Sequence, residues 1–154
     1  MKNIFFYQTD LGEIGIAANG NAVTNLYLKK ENIPRDTVVQ ETELIKEAAR
    51  QLQDYLAGKL RDFNLPLAPA GTEFMRRVWE SLRAIPYGQT RSYQEVAQSV
   101  GNKKASRAVG LANNRNPIPI FIPCHRVIGA NGKLVGYGGG LEIKAYLLDL
   151  EKPS

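Results

Sequence analysis

The chain has 154 residues, of which 44% are hydrophobic, and a net charge of +5, a composition typical of one compact protein or of two small domains. No run approaches the roughly 18 apolar residues of a membrane span, and the N-terminal apolar run is too short for a secretory signal, so we expect a cytoplasmic protein. The single cysteine excludes a disulfide within the chain, and one cysteine with one histidine cannot make a structural zinc site, so we expect no metal.

The first part of the chain has the pattern of a small sheet followed by a helix. Three short strands are predicted, over residues 4–9, 13–18 and 22–28. Asn19-Gly20 between the second and third is a strong hairpin signal. A helix is predicted from Glu41 to Ala57, because apolar residues recur there at helical spacing and Gly58 can end it. Residues 1–65 therefore form the first, antiparallel domain of an α+β protein.

Prolines and a glycine then interrupt the chain, and we predict a linker over residues 66–71. Beyond the linker the pattern becomes mainly helical, and Thr72 can cap the first helix of a second domain, residues 72–154. Two short helices joined by a tight turn at Gly101-Asn102 follow, the first opened by a Ser92–Glu95 capping box and the second spanning residues 103–113. This is the outline of a helix-turn-helix, although a plain helical hairpin has the same pattern.

The second of these helices lies in a region without acidic residues. None occurs between Glu95 and Glu142, and the second domain carries twelve Lys/Arg against six Asp/Glu. A field of one sign attracts a polyanion, and nucleic acid is the commonest one, although charge that serves only solubility is an alternative. Lys103, Lys104 and Arg107 would share one face of the helix, which favours DNA as the partner.

The only cysteine of the chain directly precedes its only histidine, at Cys124-His125. The apolar segment 118–123 is predicted to be extended and to carry Cys124 through the core. Burial raises the pKa of a thiol, so a reactive Cys124 needs a base, and His125 is the only imidazole available. Glu142, Asp149 or Glu151 could orient it. An inert core cysteine is the alternative reading of the pair.

The run from Asn116 to Ile128, with Pro123-Cys124-His125-Arg126-Val127 at its centre, closely resembles the active-site signature of the O6-alkylguanine-DNA alkyltransferases. The similarity continues on both sides, at Ile85-Pro86-Tyr87-Gly88-Gln89-Thr90, Ser92-Tyr93, Arg107-Ala108-Val109-Gly110, Gly136-Tyr137, Gly139-Gly140, Lys144, Leu147-Leu148 and Glu151. It covers about residues 72–151. The resemblance implies a ribonuclease H-like first domain and a winged-helix-like second domain that contains the helix-turn-helix.

The resemblance implies direct-reversal DNA repair. An alkyl group would move irreversibly, once per molecule, from O6 of guanine, and also from O4 of thymine, to Cys124 after the nucleotide flips out of duplex DNA. His125 would act as the base through a water, and Glu151 would orient His125. The partner would be double-stranded DNA containing O6-alkylguanine, with no cofactor and no zinc. A monomer is expected, and cooperative binding along DNA is left open.

The same resemblance implies roles for the remaining site residues. Tyr93 would donate a hydrogen bond to the guanine and contact a phosphate, Arg107 would fill the gap in the base stack, and Asn116 would brace the turn before Cys124. The substrate pocket would be lined by Asn116, Arg126, Val127, Tyr137 and the backbone of Gly138. The residues expected at DNA are Ser92, Tyr93, Lys103, Lys104, Ala105, Arg107, Ala108 and Arg115.

Two other functions are weighed against alkyl transfer. A non-catalytic damage sensor of the alkyltransferase-like type would explain the basic helix pair but not the Cys-His pair beside it. A cysteine hydrolase would need an oxyanion hole and would turn over many times. Stoichiometry separates the three, because only the transferase stops after one alkyl group per protein.

Overall fold

Strands dominate the first part of the chain, and helices dominate the second. The computed structural model describes residues 2–31 and 33–153, which divide into two units between Ala70 and Gly71. The first unit contains β1 (Asn3–Thr9), β2 (Gly12–Ala18), β3 (Val23–Tyr27), β4 (Val38–Val39) and α1 (Glu43–Leu56). The second contains α2 (Glu73–Arg83), β5 (Arg91–Ser92), α3 (Tyr93–Ser99), α4 (Ser106–Asn114), a 3₁₀ turn (Cys124–Arg126), β6 (Val127–Ile128) and α5 (Leu141–Glu151). The predicted α+β order is confirmed.

The sheet of the first unit has the strand order β3-β2-β1-β4. β1, β2 and β3 pair antiparallel as predicted, whereas the short edge strand β4 pairs parallel with β1 and was not predicted. Gly12 opens β2 with a φ of 95°, a conformation that favours glycine at this tight turn. The apolar face of α1 and the inner face of the sheet form the core, which includes Ile16, Ile45 and Leu52.

Side-chain caps set the starts of the long helices. Thr42 accepts a hydrogen bond from the amide of Ile45, so α1 begins at Glu43, two residues later than predicted. Thr72 caps α2 in the same way, through the amide of Met75 at 3.1 Å. Both caps satisfy amides that would otherwise lack a partner at the start of a helix.

The helix pair α3–α4 is present, but its second helix starts later than predicted. The Ser92–Glu95 capping box opens α3. α4 begins at Ser106 rather than at residue 103, because Asn102 accepts the Lys104 amide on its side chain and the Ala105 amide on its carbonyl, which forms a turn. Lys103 and Lys104 therefore lie in the turn before α4, Ala105 is its N-cap residue, and the predicted shared helical face is wrong.

The segment before Cys124 is buried as predicted, but it is not extended. It folds into a turn in which the Ile122 amide donates to the Ile118 carbonyl at 2.9 Å, and Ile120 has a φ of +75°, which is rare for a β-branched residue. The Asn116 side chain closes this turn, because it donates to the Ile122 carbonyl at 2.8 Å and accepts from the Ile118 amide at 2.9 Å. A local amide bridge thus replaces the strand pairing that an extended segment would need.

Candidate active site

Cys124 and His125 lie in the 3₁₀ turn, between the buried segment and β6. Cys124, His125 and Arg126 are all buried. The side chain of Asn113, at the end of α4, donates to the Cys124 carbonyl at 3.2 Å. β6 then pairs in parallel with β5, which directly precedes α3. The turn is therefore connected by a hydrogen bond to α4, and the strand that follows it pairs with the strand that leads into α3.

Burial raises the pKa of the Cys124 thiol to about 11, so the resting sulfur carries its proton at neutral pH. Three contributions act in the opposite direction. The side-chain amide of Asn116, the positive charge of Lys144 and the backbone amide of Cys124 each lower the pKa of the thiol and favour the thiolate. The site is therefore arranged to hold a thiol at rest and to stabilise the thiolate once a base has removed the proton.

His125 is held by a fully buried carboxylate. Its Nε2 lies 2.7 Å from Oε2 of Glu151, the last residue of α5. A carboxylate only accepts, so Nε2 carries the proton and Nδ1 becomes the accepting nitrogen of the ring. Burial, followed by the charges of Arg126 and Lys144, lowers the pKa of His125, whereas Glu151 raises it. The net direction is downward, so the imidazole is neutral at physiological pH and can act as a base.

Glu151 has further partners. Arg126 donates to both of its oxygens, from Nε at 2.8 Å and from Nη2 at 2.9 Å, and the amide of Gly88 donates to Oε1 at 3.2 Å. The remaining guanidinium nitrogen, Nη1, donates to the carbonyl of Ile85 at 2.7 Å. Arg126 was predicted to line the substrate pocket, and the structure places its guanidinium against Glu151.

Tyr93 and Lys144 donate hydrogen bonds to the same backbone carbonyl. The hydroxyl of Tyr93 donates to the Val135 carbonyl at 2.9 Å, and Nζ of Lys144 donates to the same carbonyl at 2.8 Å and to that of Gly136 at 3.3 Å. Burial, and then the charge that Cys124 can carry, raises the pKa of Tyr93, so its hydroxyl remains a donor. Burial lowers the pKa of the Lys144 ammonium group. The negative charge that Cys124 can carry raises this pKa, but the effect of burial is larger.

The glycine loop after Lys133 lies against the end of α4. A Cβ built on Gly138 would lie 3.2 Å from the carbonyl of Asn114. Gly136 has a φ of 56°, and its Cβ would lie 3.5 Å from the Tyr93 hydroxyl. Loop and helix therefore approach each other at a distance that leaves little room for side chains. Of the other residues predicted to line the pocket, Val127 is buried in β6 and Tyr137 is half-buried in the loop.

The residues predicted to bind DNA are mostly accessible. Lys103, Lys104, Arg107, Ala108 and Arg115 are exposed on α4 and the turns at its two ends. Ala105 is half-buried, and Ser92 uses its hydroxyl as the cap of α3. The ring of Tyr93 lies within van der Waals distance of a Cβ built on Gly110, so Tyr93 packs against this helix.

Sequence reasoning assigned no role to Lys144, which is buried and whose charge favours the thiolate of Cys124. One signal could have found it. Lys144 precedes Leu147 by three residues and Glu151 by seven, so all three lie on one face of a helix, and a lysine on a buried face needs a specific partner.

Among residues 2–31 and 33–153 there is no group of three or more His, Cys, Asp or Glu side chains that could hold a metal ion. Within the same residues, no helix has both the length and the apolar character required to cross a membrane.

Comparison with known proteins gives concordant matches to both units. Residues 73–153 match the model of the 6-O-methylguanine DNA methyltransferase DNA binding domain, and residues 5–69 match that of its ribonuclease-like domain. A methylated-DNA--protein-cysteine methyltransferase of Methanosarcina acetivorans is 61% identical over 123 residues, which are 80% of this chain and 78% of the relative. The constitutive enzyme of that name from Bacillus subtilis is 48% identical over 96% of this chain and 93% of its own length.

A solved structure of the Mycobacterium tuberculosis protein OGT in complex with DNA has a TM-score of 0.93 to this chain. The two are 45% identical, and the match covers 97% of this chain and 92% of that one. The similarity therefore extends through both units.

Proposed function

This chain belongs to the 6-O-methylguanine DNA methyltransferase family, and we propose that it repairs duplex DNA directly, by moving an alkyl group from a damaged base onto Cys124. DNA is its partner, and the reaction is a methyl or alkyl transfer to a protein cysteine. The base in our proposal is O6-alkylguanine, which must leave the stack before its alkyl carbon can be attacked in line. O4-alkylthymine, which presents the same alkyl ether, is a second substrate.

The chemical step uses the groups around the sulfur. The Cys124 thiol gives its proton, through a bridging water, to Nδ1 of His125. The thiolate attacks the alkyl carbon, so a carbon–sulfur bond forms while the bond from that carbon to O6 breaks. The electron pair of the broken bond stays on the base, and Tyr93 donates a hydrogen bond to it. The proton lost by the thiol finally neutralises the base, and guanine leaves.

One observation carries this proposal. The only thiol of the chain directly precedes a buried histidine that is paired with Glu151, and Asn116, Lys144 and the backbone amide of Cys124 all favour its thiolate. An inert core cysteine needs no such surroundings. Because the product is a thioether, which water does not cleave, each molecule acts once.

The test is to mix the protein with a duplex that contains a single O6-methylguanine, and to follow the protein by intact mass and peptide mapping. We expect one methyl group per protein, on the Cys124 peptide, and none from a duplex with unmodified guanine. Cys124→Ser should still bind the duplex and acquire no methyl group. Repeated turnover, or a modified duplex that leaves the protein unchanged, would contradict the proposal.

The exposed side of α4 is the proposed DNA-binding surface. Arg107 occupies the gap left in the base stack, the small side chains of Ala105 and Ala108 allow close approach, and Tyr93 contacts a phosphate as the nucleotide turns. Ser92, Lys103, Lys104 and Arg115 bind the backbone. Damage occurs in any sequence, so contacts to the backbone together with a wedge suffice, and no base-specific readout is needed.

Salt dependence tests this surface. Binding should weaken with salt, with a logarithmic slope of about −0.9 per phosphate neutralised. Lys103→Ala should reduce that slope by about one and weaken binding to damaged and undamaged duplexes equally. Lys59→Ala, an exposed lysine of the first unit, is the matched control and should leave the slope unchanged. Equal salt slopes for Lys103→Ala and Lys59→Ala would show that Lys103 does not belong to the DNA-binding surface.

The protein acts as a monomer without a cofactor, in the cytoplasm, where a reducing environment keeps Cys124 in its thiol form. One chain binds one lesion, and sedimentation of the free protein and of its complex with a short duplex tests this stoichiometry. A non-catalytic damage sensor is not favoured, because the relatives are named as methyltransferases and this chain retains the thiol.

A further inference from the structure

Arg126 is the last residue of the 3₁₀ turn that carries Cys124, the catalytic turn, and each of its three guanidinium nitrogens donates a hydrogen bond to another group of this chain. Nε and Nη2 hold the two oxygens of Glu151, and Nη1 holds the Ile85 carbonyl. The guanidinium carbon also lies 5.7 Å from the centre of the Tyr87 ring. Arg126 is almost fully buried. These contacts point to a function inside the site rather than at the substrate.

The two-pronged contact orients the carboxylate that His125 uses. A guanidinium that binds both oxygens in parallel fixes the plane of a carboxylate, which a single donor does not. Oε2 of Glu151 accepts from Arg126 at 2.9 Å and lies 2.7 Å from Nε2 of His125. The same oxygen is thus shared by the imidazole and by a permanently charged cation.

We propose that Arg126 is a positioning residue that keeps His125 in its neutral form, with the proton on Nε2, by occupying the Glu151 carboxylate, so that Nδ1 stays able to accept the proton of Cys124. This inference rests on the function proposed above and deepens it.

The physical reason lies in the sign of the charges. A carboxylate alone beside a buried imidazole stabilises the imidazolium, and an imidazolium cannot act as a base. A guanidinium on the same carboxylate opposes that effect, and guanidinium is charged at every working pH. The direction of the His125 pKa agrees, since Arg126 lowers it and Glu151 raises it.

The elements packed around His125 carry few other groups that could change its pKa. α5 contributes Glu151 and Lys144, and the catalytic turn contributes Arg126 and Cys124. Tyr93 of α3 faces Cys124, and Tyr87 faces Arg126. α2, which also packs against the turn, buries only Val78, Trp79 and Leu82. With Lys144 unchanged, removal of Arg126 leaves Glu151 as the charge in direct contact with the imidazole.

Nuclear magnetic resonance of the imidazole tests the proposal directly, because His125 is the only histidine in the chain. Nitrogen-15 spectra of the intact protein report both the tautomer and the titration of this one ring. We expect the Nε2–H form and a pKa below the usual value of about 6.5 in the wild type. In Arg126→Met and Arg126→Gln the pKa should rise by about one unit or more, a tenfold shift in proton affinity.

Three controls complete the experiment. Arg83→Met, an exposed arginine on α2, should titrate like the wild type. Arg126→Lys keeps the positive charge, and in this variant the pKa of His125 should stay within about half a unit of the wild-type value. Neutral variants that titrate at or below the wild-type value overturn the proposal. The fluorescence of Trp79 reports whether the two neutral variants fold. If neither folds, Arg126→Lys alone decides the question, and a rise of more than about half a unit in the pKa of His125 in that variant overturns the proposal.

The pH profile of alkyl transfer separates this role from a structural one. Arg126→Gln should be slow at neutral pH and recover towards the wild-type rate as the pH rises, because a base with a raised pKa is regained at higher pH. A purely structural defect would lower the rate equally at every pH, and that result would also overturn the proposal. If wild-type protein transfers no alkyl group, the proposed function fails, while the imidazole titration still tests Arg126.

Discussion

The two units of this protein bury different kinds of polar side chain. Within residues 2–31 and 33–153, the polar side chains buried in the first unit are Thr24 and Gln51, which are neutral. Those buried in the second unit include His125, Arg126, Lys144 and Glu151, which can carry charge, as can the buried thiol of Cys124. Since removing a charge from water is unfavourable unless it is paired, a buried cluster of this kind weakens the fold that contains it unless every member has a partner. The comparison indicates which unit holds the chemistry before any substrate is considered.

Glu151 and Gln51 make the contrast concrete. The Gln51 side chain donates to the carbonyl of Asn64 at 3.1 Å and accepts from its amide at 2.9 Å, so it fastens a loop to α1. Glu151 instead binds an imidazole and a guanidinium, neither of which is needed to fasten a helix end. A buried amide can serve structure alone, while a buried carboxylate between an imidazole and a guanidinium is more often found where proton transfer occurs.

The largest effect is expected from breaking the buried cluster. Glu151→Gln leaves Arg126 buried without a charged partner, and loss of one member of such a pair destabilises a protein by about 3–5 kcal/mol. Urea unfolding followed by the fluorescence of Trp79, the only tryptophan, reports this for the second unit. The rate of alkyl transfer should fall as well, because His125 loses its orienting acceptor.

Glu13→Gln is the matched variant in the first unit. Glu13 binds Lys30 at 2.7 Å, both side chains are exposed, and exposed ion pairs contribute little to folding. We expect no measurable change in unfolding or in alkyl transfer. Equal destabilisation by the two substitutions would mean that burial does not distinguish the two carboxylates.

A smaller effect is expected from the pKa of Cys124, which burial raises to about 11. The contribution of a group with a raised pKa is complete below its unfolded value, about 8.5 for a thiol, and is lost as the pH rises towards the folded value. Between these limits the wild type should lose about 2–3 kcal/mol more stability than Cys124→Ser, which has no thiol to ionise.

This difference is measured by urea unfolding of both proteins at about pH 8 and about pH 11. Subtracting the loss of stability of Cys124→Ser from that of the wild type cancels the contributions of lysines and tyrosines, which titrate in the same pH range. Parallel losses in the two proteins would show that the thiol ionises as readily in the folded chain as in the unfolded one.

Local signals in the sequence predicted the parts of the fold that depend on neighbouring residues. Asn19-Gly20 marked a hairpin, and Ser92 with Glu95 marked the start of α3, because both act within a few residues. The predicted start of α4 was wrong because the Asn102 side chain accepts the hydrogen bond of the Lys104 amide, an interaction that the apolar pattern does not show.

The candidate site likewise contains some features that the sequence predicted and others that depend on contacts between distant residues. The Cys124-His125 pair is visible in the sequence because its members are adjacent, and the resemblance supplied Glu151. Periodicity could not show that the apolar segment before Cys124 folds back as a turn, because that depends on the Asn116 amide reaching Ile122. Nor could it show that Arg126 binds Glu151, a contact across 25 positions of the chain.

The smallest effect is expected from the helix caps, which exist in both units with the same chemistry. Thr42→Ala removes the cap of α1 and Thr72→Ala that of α2, and each should destabilise its own unit by about 1 kcal/mol. Hydrogen exchange of the helix amides measures both. Only Thr72→Ala should also slow alkyl transfer, since α2 packs against the turn that carries Cys124, whereas α1 belongs to the unit without buried charges. A slower transfer in Thr42→Ala would show that the first unit takes part in the chemistry, and the division between a structural and a reactive unit would then be wrong.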